Sequence, residues 1–329
     1  MQAASPGAVH HRGSSLPKAP PVLLRGIAFY VSGLWLLSTL DTASKVLVGV
    51  GVPVLMVAWF RYLGHMVLMA TLVMPRVGRA ELLRTKSLPR QLVRGALMIT
   101  TTVLFFTLLR HAPIAEATAF NFIAPLIILM VAPWLLGERN RWWRWAGVAA
   151  GVAGMLLVVR PGGVLSASTA ALGVVTAISF ACFHLSTRRV AHDAPLTTNF
   201  YGGLFGAVAL TAALPFFWQT PDLSGWQWVL LVSTGILGFA AHWLQIIGFK
   251  HAPASVLAPY TYLQIVAATA LGWAVFGQLP DAVTASGMAL ICVAGLAVAV
   301  LDARASRRAA QGAAVSPPQA GSESVAPGR

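Results

Sequence analysis

Arg61 and His65 stand four residues apart in an otherwise apolar stretch, so on a helix their side chains share one face. At 1.5 Å per residue they lie roughly 12 and 18 Å in from Pro53. A guanidinium keeps its charge in a protein, so at that depth Arg61 needs an anion, either a carboxylate of the chain or a bound solute. Asp41 and Lys45 repeat the four-residue spacing in the preceding stretch, and Glu116 follows Arg110 at the start of a later one. Charges of both signs gathered in this way suit a zwitterionic or charged solute, with Arg61 as the anion contact and Asp41 or Glu116 as the cation contact. The same residues read alternatively as a structural network between helices, with Lys45 snorkelling to the headgroups. His184 and His242 lie deep in later stretches, and Asn121, Tyr260, Tyr262 and Gln264 add hydrogen-bonding groups. Each histidine serves either as a satisfied core group or as a ligand or proton carrier.

The elements that must position these groups follow from composition. Of 329 residues, 57% are hydrophobic and only 10% charged, with a mean hydropathy of +0.74. Soluble domains carry about 25% charged residues. So few charges cannot cover a 34.7 kDa globule, so apolar surface must face lipid. Disorder, a coiled coil and a disulfide scaffold are excluded on the same numbers, and Cys182 and Cys292 read as small core hydrophobes. Ten stretches approach the roughly 20 residues that span a bilayer. They are Val22–Ser44, Pro53–Met74, Gln91–Leu109, Ile114–Leu136, Trp142–Val159, Thr169–Thr187, Leu196–Phe217, Trp226–Phe249, Ala254–Gly277 and Ala282–Leu301. The first is too long for a signal-peptide core and lacks a cleavage pattern, so it counts as a span.

The net charge of +14 comes in short runs between apolar stretches rather than on one soluble face, which argues for membrane topology and against nucleic acid. With the N-terminus inside, nineteen cations fall on the cytoplasmic side, Arg94 and Arg139 among them, and three outside; Arg61 lies within a span. Both termini are then cytoplasmic, and residues 1–21 and 302–329, rich in Ala, Ser, Gly and Pro, read as disordered tails. Glu138 beside Arg139 reads as a topology and packing feature. The protein is expected to be multi-pass in the inner (plasma) membrane, with the bilayer as its partner.

His111-Ala112-Pro113 recurs as His251-Ala252-Pro253, and Gly137/Gly277 and Gly147/Gly287 keep the same offset of 140. Lys45/Arg188, Pro53/Pro195 and Gly64/Gly206 match at 142 or 143. Five spans per repeat is an odd number, so the halves are inverted, an arrangement that places a substrate site near the midplane and suits alternating access. Glycines at 147, 151, 154, 287 and 295 permit close helix approach, and also offer a seam for a homodimer.

Leu109 to Thr118, Pro125, Leu136-Gly137-Glu138-Arg139, Trp142 to Gly154 and Val159-Arg160-Pro161-Gly162 resemble the EamA-type drug/metabolite transporter superfamily. Leu40 to Lys45 and Trp59-Phe60-Arg61 are similar as well. In the second half Gln278 stands where a glutamate often follows the glycine. The resemblance implies an all-α membrane protein of ten helices in two inverted five-helix repeats, 22–160 and 168–301, carrying a small metabolite. A phosphate loop, zinc spacing and a nucleophile elbow are missing from the sequence, so no enzyme, cofactor or metal is expected, and energy is expected from ion or solute gradients. The expected function is a secondary transporter of a small polar metabolite, an amino acid or relative first, with a proton as a candidate coupling ion. A flippase for a lipid-linked substrate is the alternative, and a membrane-embedded enzyme or a gated channel stands further off.

Overall fold

The computed structural model describes residues 21–136, 141–160, 163, 165–220 and 222–315, and it is helical with no strand among them. The helices are α1 (Pro21–Gly49), α2 (Val54–Val77), α3 (Leu88–His111) and α4 (Ile114–Asn121, continued by Ala124–Leu136). They continue with α5 (Trp142–Val159), α6 (Ala167–Arg189), α7 (Pro195–Phe217) and α8 (Gly225–His251). The last two are α9 (Ala254–Leu257, a 3-10 segment Ala258–Tyr262, then Leu263–Phe276) and α10 (Ala282–Val315). A short helix, Arg79–Leu83, lies between α2 and α3. All but α4 and α9 are long and apolar enough to cross a membrane, eight in total among the described residues; within α4, Ile114–Ile128 is a shorter apolar helix. The ends lie within three residues of the sequence reading except at α1, which runs past Ser44 to Gly49, and at α10, which continues past the expected boundary at Leu301 to Val315 as helix. Residues 1–20 and 316–329 of the expected tails, with Glu138 and Arg139, lie outside the described residues.

Local chemistry sets the helix ends. Ser224 and Gln227 form a capping box on α8, and Ser166 accepts from the Thr169 N–H on α6. Gly277 closes α9 in the left-handed region at φ 64°, which favours a residue without Cβ. In α2 the turn Met69–Val73 is wound as a π-helix just before Pro75, whose missing N–H cannot continue the regular ladder. Both His-Ala-Pro motifs end their helices alike: Ala112 and Ala252 are extended (φ −126° and −142°), and their N–H groups donate to Leu108 O and Gly248 O.

With no aqueous driving force inside lipid, close packing and small residues bring the helices together. α1 packs on α8, α3 on α6, α5 on α10, and α2 lies against both α7 and α8. At the α2–α8 crossing Gly64 and Gly235 meet backbone to backbone: a Cβ on Gly235 would sit 2.6 Å from the Gly64 Cα. At the α5–α10 crossing a Cβ on Gly154 would lie 2.7 Å from the Gly287 O. Gly147 faces Val298, Gly151 faces Leu126, and Gly295 faces the Tyr262 hydroxyl. The glycines read from sequence as a homodimer seam are therefore used inside one chain. Large apolar side chains, including Val93, Leu156, Val208, Val229, Trp273 and Val293, are exposed on the outside of the bundle, as helices bathed in lipid require.

Candidate functional site

Arg61 projects from α2 between the rings of Tyr62 and Phe106, its guanidinium carbon 5.6 and 5.7 Å from their centroids. Its Nη1 donates to Thr102 Oγ1 at 3.2 Å. The Tyr62 hydroxyl hydrogen-bonds Met98 O at 3.1 Å and Thr102 Oγ1 at 2.8 Å, which fixes α2 to α3 beside the guanidinium. Among the described residues no carboxylate lies within ion-pair distance of Arg61. Asp41, buried on α1, is near enough for the two charges to interact but makes no direct ion pair with it. Glu116 is likewise buried at the start of α4, with Oε2 unpartnered.

One turn along α2, His65 is 5% exposed, and its Nε2 has no hydrogen-bond partner. His242 on α8 comes to it from the other half of the chain: the imidazole centroids are 6.2 Å apart at 75°, and His242 Nε2 is also buried without a partner. Phe239 packs on His65 from the α8 side at 5.7 Å. Together Arg61, Tyr62, His65, Met98, Gly203, Gly238 and His242 line a narrow cavity with about 10 Å³ open to a water molecule. That is about the room of one water, against about 300 to 1,000 Å³ for drug-sized ligand sites, so in this conformation the cavity is closed to a solute. Its room comes from glycine: a Cβ at Gly203 would lie 2.7 Å from His65 Cδ2, and one at Gly238 would lie 3.6 Å from Arg61 Cγ. Two histidines without a third ligand do not make a metal site, and no cluster of three or more His, Cys, Asp and Glu occurs among the described residues.

Of the residues singled out by sequence, Arg61, His65 and His242 come together here. The others do not line this cavity. Lys45 does not pair with Asp41 one turn away; its Nζ donates to Leu109 O (2.8 Å) and Ala112 O (2.5 Å) and lies 5.4 Å over the Phe276 ring. It thus satisfies carbonyls at the end of α3. Asn121 closes the first half of α4 with Oδ1 unpartnered. His184 is exposed on α6 and stacks on Phe180 at 6.1 Å. Tyr260 packs beside Tyr30, Leu34 and Leu257, and Tyr262 stacks on Phe122.

Sequence reasoning missed Tyr62, Met98 and the two glycines, because none differs in type from the surrounding apolar helix. It also did not show that Arg94, counted among the cytoplasmic cations, is buried: the side chain is 8% exposed. Its Nε donates to Thr187 Oγ1 (3.0 Å) and its Nη1 to Thr198 O (3.1 Å), with the Phe183 ring 5.0 Å away. Arg94 is thereby committed to holding α3 against α6 and α7. A second cluster missed from sequence centres on Asp193, between α6 and α7. Thr85 Oγ1 (2.5 Å), the Lys86 N–H (3.0 Å) and Gln91 Nε2 (2.8 Å) all donate to it from the α2–α3 connection and the start of α3. Burial alone would raise the Asp193 pKa, but these donors and neighbouring His192 outweigh it and hold the carboxyl below the ordinary range.

Residues 24–160 and 167–301 each match the model of the EamA-like transporter family. The chain is 27% identical over 281 residues to an S-adenosylmethionine uptake transporter of Rickettsia bellii, covering 85% of this chain and 95% of that one. It is 29% identical to a pseudopaline exporter of Pseudomonas aeruginosa, covering 70% and 81%, and 26% identical to a riboflavin transporter of Vibrio cholerae, covering 70% and 78%. A crystal structure with 26% sequence identity superposes with a TM-score of 0.59 over 86% of this chain and 98% of its own.

Proposed function

The chain belongs to the EamA-like transporter family, and from that premise we propose a secondary transporter that moves a small polar metabolite, an amino acid or related compound, across the inner membrane by alternating access. One observation carries the reading. The cavity takes Arg61, Tyr62, His65 and Met98 from the first half of the chain and Gly203, Gly238 and His242 from the second. A polar site shared between halves is what a rocking mechanism needs, because each half can part from the other while the site stays near the centre. The tight cavity suits a state in which neither half has opened.

In this reading α4 and α9 also cross, which gives ten crossings in two inverted repeats, 22–160 and 168–301, with both termini cytoplasmic. The nineteen-to-three cation split supports that orientation. The breaks in α4 and α9 support it too, since discontinuous helices are the usual frame of a carrier site. Transport is driven by a solute or proton gradient. Arg61, His65 and His242 contact the substrate; Asp41 and Glu116 set the field around it.

Reconstituted vesicles loaded with single metabolites test the reading by counterflow of the labelled compound. Exchange that saturates for at least one compound, and is absent from empty vesicles, is expected. Failure of every amino acid, organic acid, amine and nucleoside in the panel to exchange would refute transport of a small metabolite.

A further inference from the structure

We propose that the cavity is a carboxylate site, in which Arg61 holds the carboxylate of the transported solute and His65 and His242 supply two further hydrogen bonds from their Nε2 atoms. The inference deepens the transporter reading and rests on it.

Three features meet at one place. First, Arg61 carries a permanent charge, lines the cavity, and makes one hydrogen bond to a described residue, through Nη1 to Thr102. A guanidinium has five N–H donors in a planar fork, matched to the two oxygens of a carboxylate. Second, a buried polar atom without a partner costs stability, and native proteins rarely keep one without a reason. Two such atoms, His65 Nε2 and His242 Nε2, line the same cavity, on rings 6.2 Å apart. With Nε2 protonated, each neutral imidazole adds a donor on a ring that lines the same cavity as Arg61. Third, Gly203 and Gly238 keep side chains out of the space in front of these donors.

The charge present favours a carboxylate over a phosphate. Arg61 is the one permanent cation lining the cavity, and Asp41 already adds a nearby acid. A monoanionic group matches that single cation more closely than a phosphate dianion, which would add a further negative charge beside Asp41 in a low-dielectric site. Arg94, the other buried arginine nearby, is spent on Thr187 and Thr198.

The test uses the purified full-length protein with amino, hydroxy and keto acids, each paired with its amide and, for amino acids, with the decarboxylated amine. Binding is read as thermal stabilisation, and counterflow is measured on the same protein. At least one free acid should stabilise the wild-type protein and exchange, while its amide and amine do neither. Arg61→Lys keeps the charge but loses the fork and should weaken acid binding about tenfold or more. His65→Ala and His242→Ala should each weaken it by about 3- to 10-fold, with partial recovery in the Gln variants, which restore a donor. Amides or amines that bind as well as their acids would overturn the carboxylate site while leaving transport standing. A wild-type protein that binds no acid in the panel, or prefers phosphate monoesters, would overturn it too. Absence of counterflow for compounds of every charge class would instead remove the transporter reading beneath it.

Discussion

Phe122 and Tyr262, 140 residues apart, stack on each other with ring centroids 5.1 Å apart and planes 30° from parallel. The separation equals the offset of the His-Ala-Pro motifs, so two equivalent residues of the repeat touch each other. Both sit at helix breaks, Phe122 between the halves of α4 and Tyr262 at the end of the 3-10 segment of α9. Prolines account for the breaks: Pro125 follows the first and Pro259 lies within the second, and neither has an N–H for the ladder. The stacking contributes about 0.5–1.5 kcal/mol beyond area burial. Thermal unfolding of Phe122→Ala, Tyr262→Ala and the double variant should show that coupling, and Tyr262→Phe should keep it. Single effects that simply add would show that the stack contributes nothing.

Two glycines one turn apart on α8 call for opposite outcomes. A Cβ on Gly235 meets the Gly64 backbone at 2.6 Å, so α2 and α8 must part. Gly235→Ala should lose about 1–3 kcal/mol of stability, in the range of overpacked cores. A Cβ on Gly238 meets Leu40 Cδ1 at 3.2 Å and Arg61 Cγ at 3.6 Å, contacts that side-chain movement relieves. Gly238→Ala should fold at near wild-type yield and lower the transport rate by narrowing the cavity. Melting temperature and counterflow, measured on both, check the pair; equal loss of stability in the two would contradict it.

Asp193 ties the connection before α7 to the start of α3, and it gives the fold an acid-sensitive fastening. Its carboxyl is held below the unfolded value of about 3.9. A depressed folded pKa means that the carboxylate's contribution is complete above the unfolded value and disappears as pH falls through the folded one. Melting temperature should therefore show no loss from this group between pH 7 and 5, taken as rough bounds, and a decline below about pH 4. Asp193→Ala leaves the Thr85 and Lys86 donors unmatched and Gln91 Nε2 with only its 3.3 Å bond to Thr198 Oγ1. It should cost about 1–3 kcal/mol at neutral pH and flatten the acid decline. An acid decline of the same size in the variant would rule out Asp193 as its source.

Helices and repeat were legible in the sequence because lipid imposes a long apolar run on each span, and because His-Ala-Pro, which ends a helix, is distinctive. The site was legible only in part. Arg61 stood out because a charge within an apolar run is rare, and His65 followed from its four-residue spacing. That His242 would face His65 depends on the α2–α8 crossing, set by the Gly64–Gly235 contact, which no local pattern announces. Asp41, Lys45 and Glu116 looked like one charged lining along the chain. In three dimensions Lys45 turned to backbone carbonyls, and Asp41 and Glu116 stayed outside the cavity lining. The burial of Arg94 was not legible because its place in the chain near a basic loop hid the hydroxyl and carbonyl that receive it inside the bundle.

The most direct measurement is the initial counterflow rate per folded molecule, wild type beside Arg61→Ala, in vesicles of equal protein content. Because Arg61 has no direct ion pair among the described residues, its removal breaks no salt bridge, and folded yield should stay near wild type. The rate for a carboxylate-bearing solute should fall about 10- to 100-fold, the range for loss of charge-assisted hydrogen bonds. A well-folded Arg61→Ala protein that exchanges the solute within twofold of the wild-type rate would contradict the account.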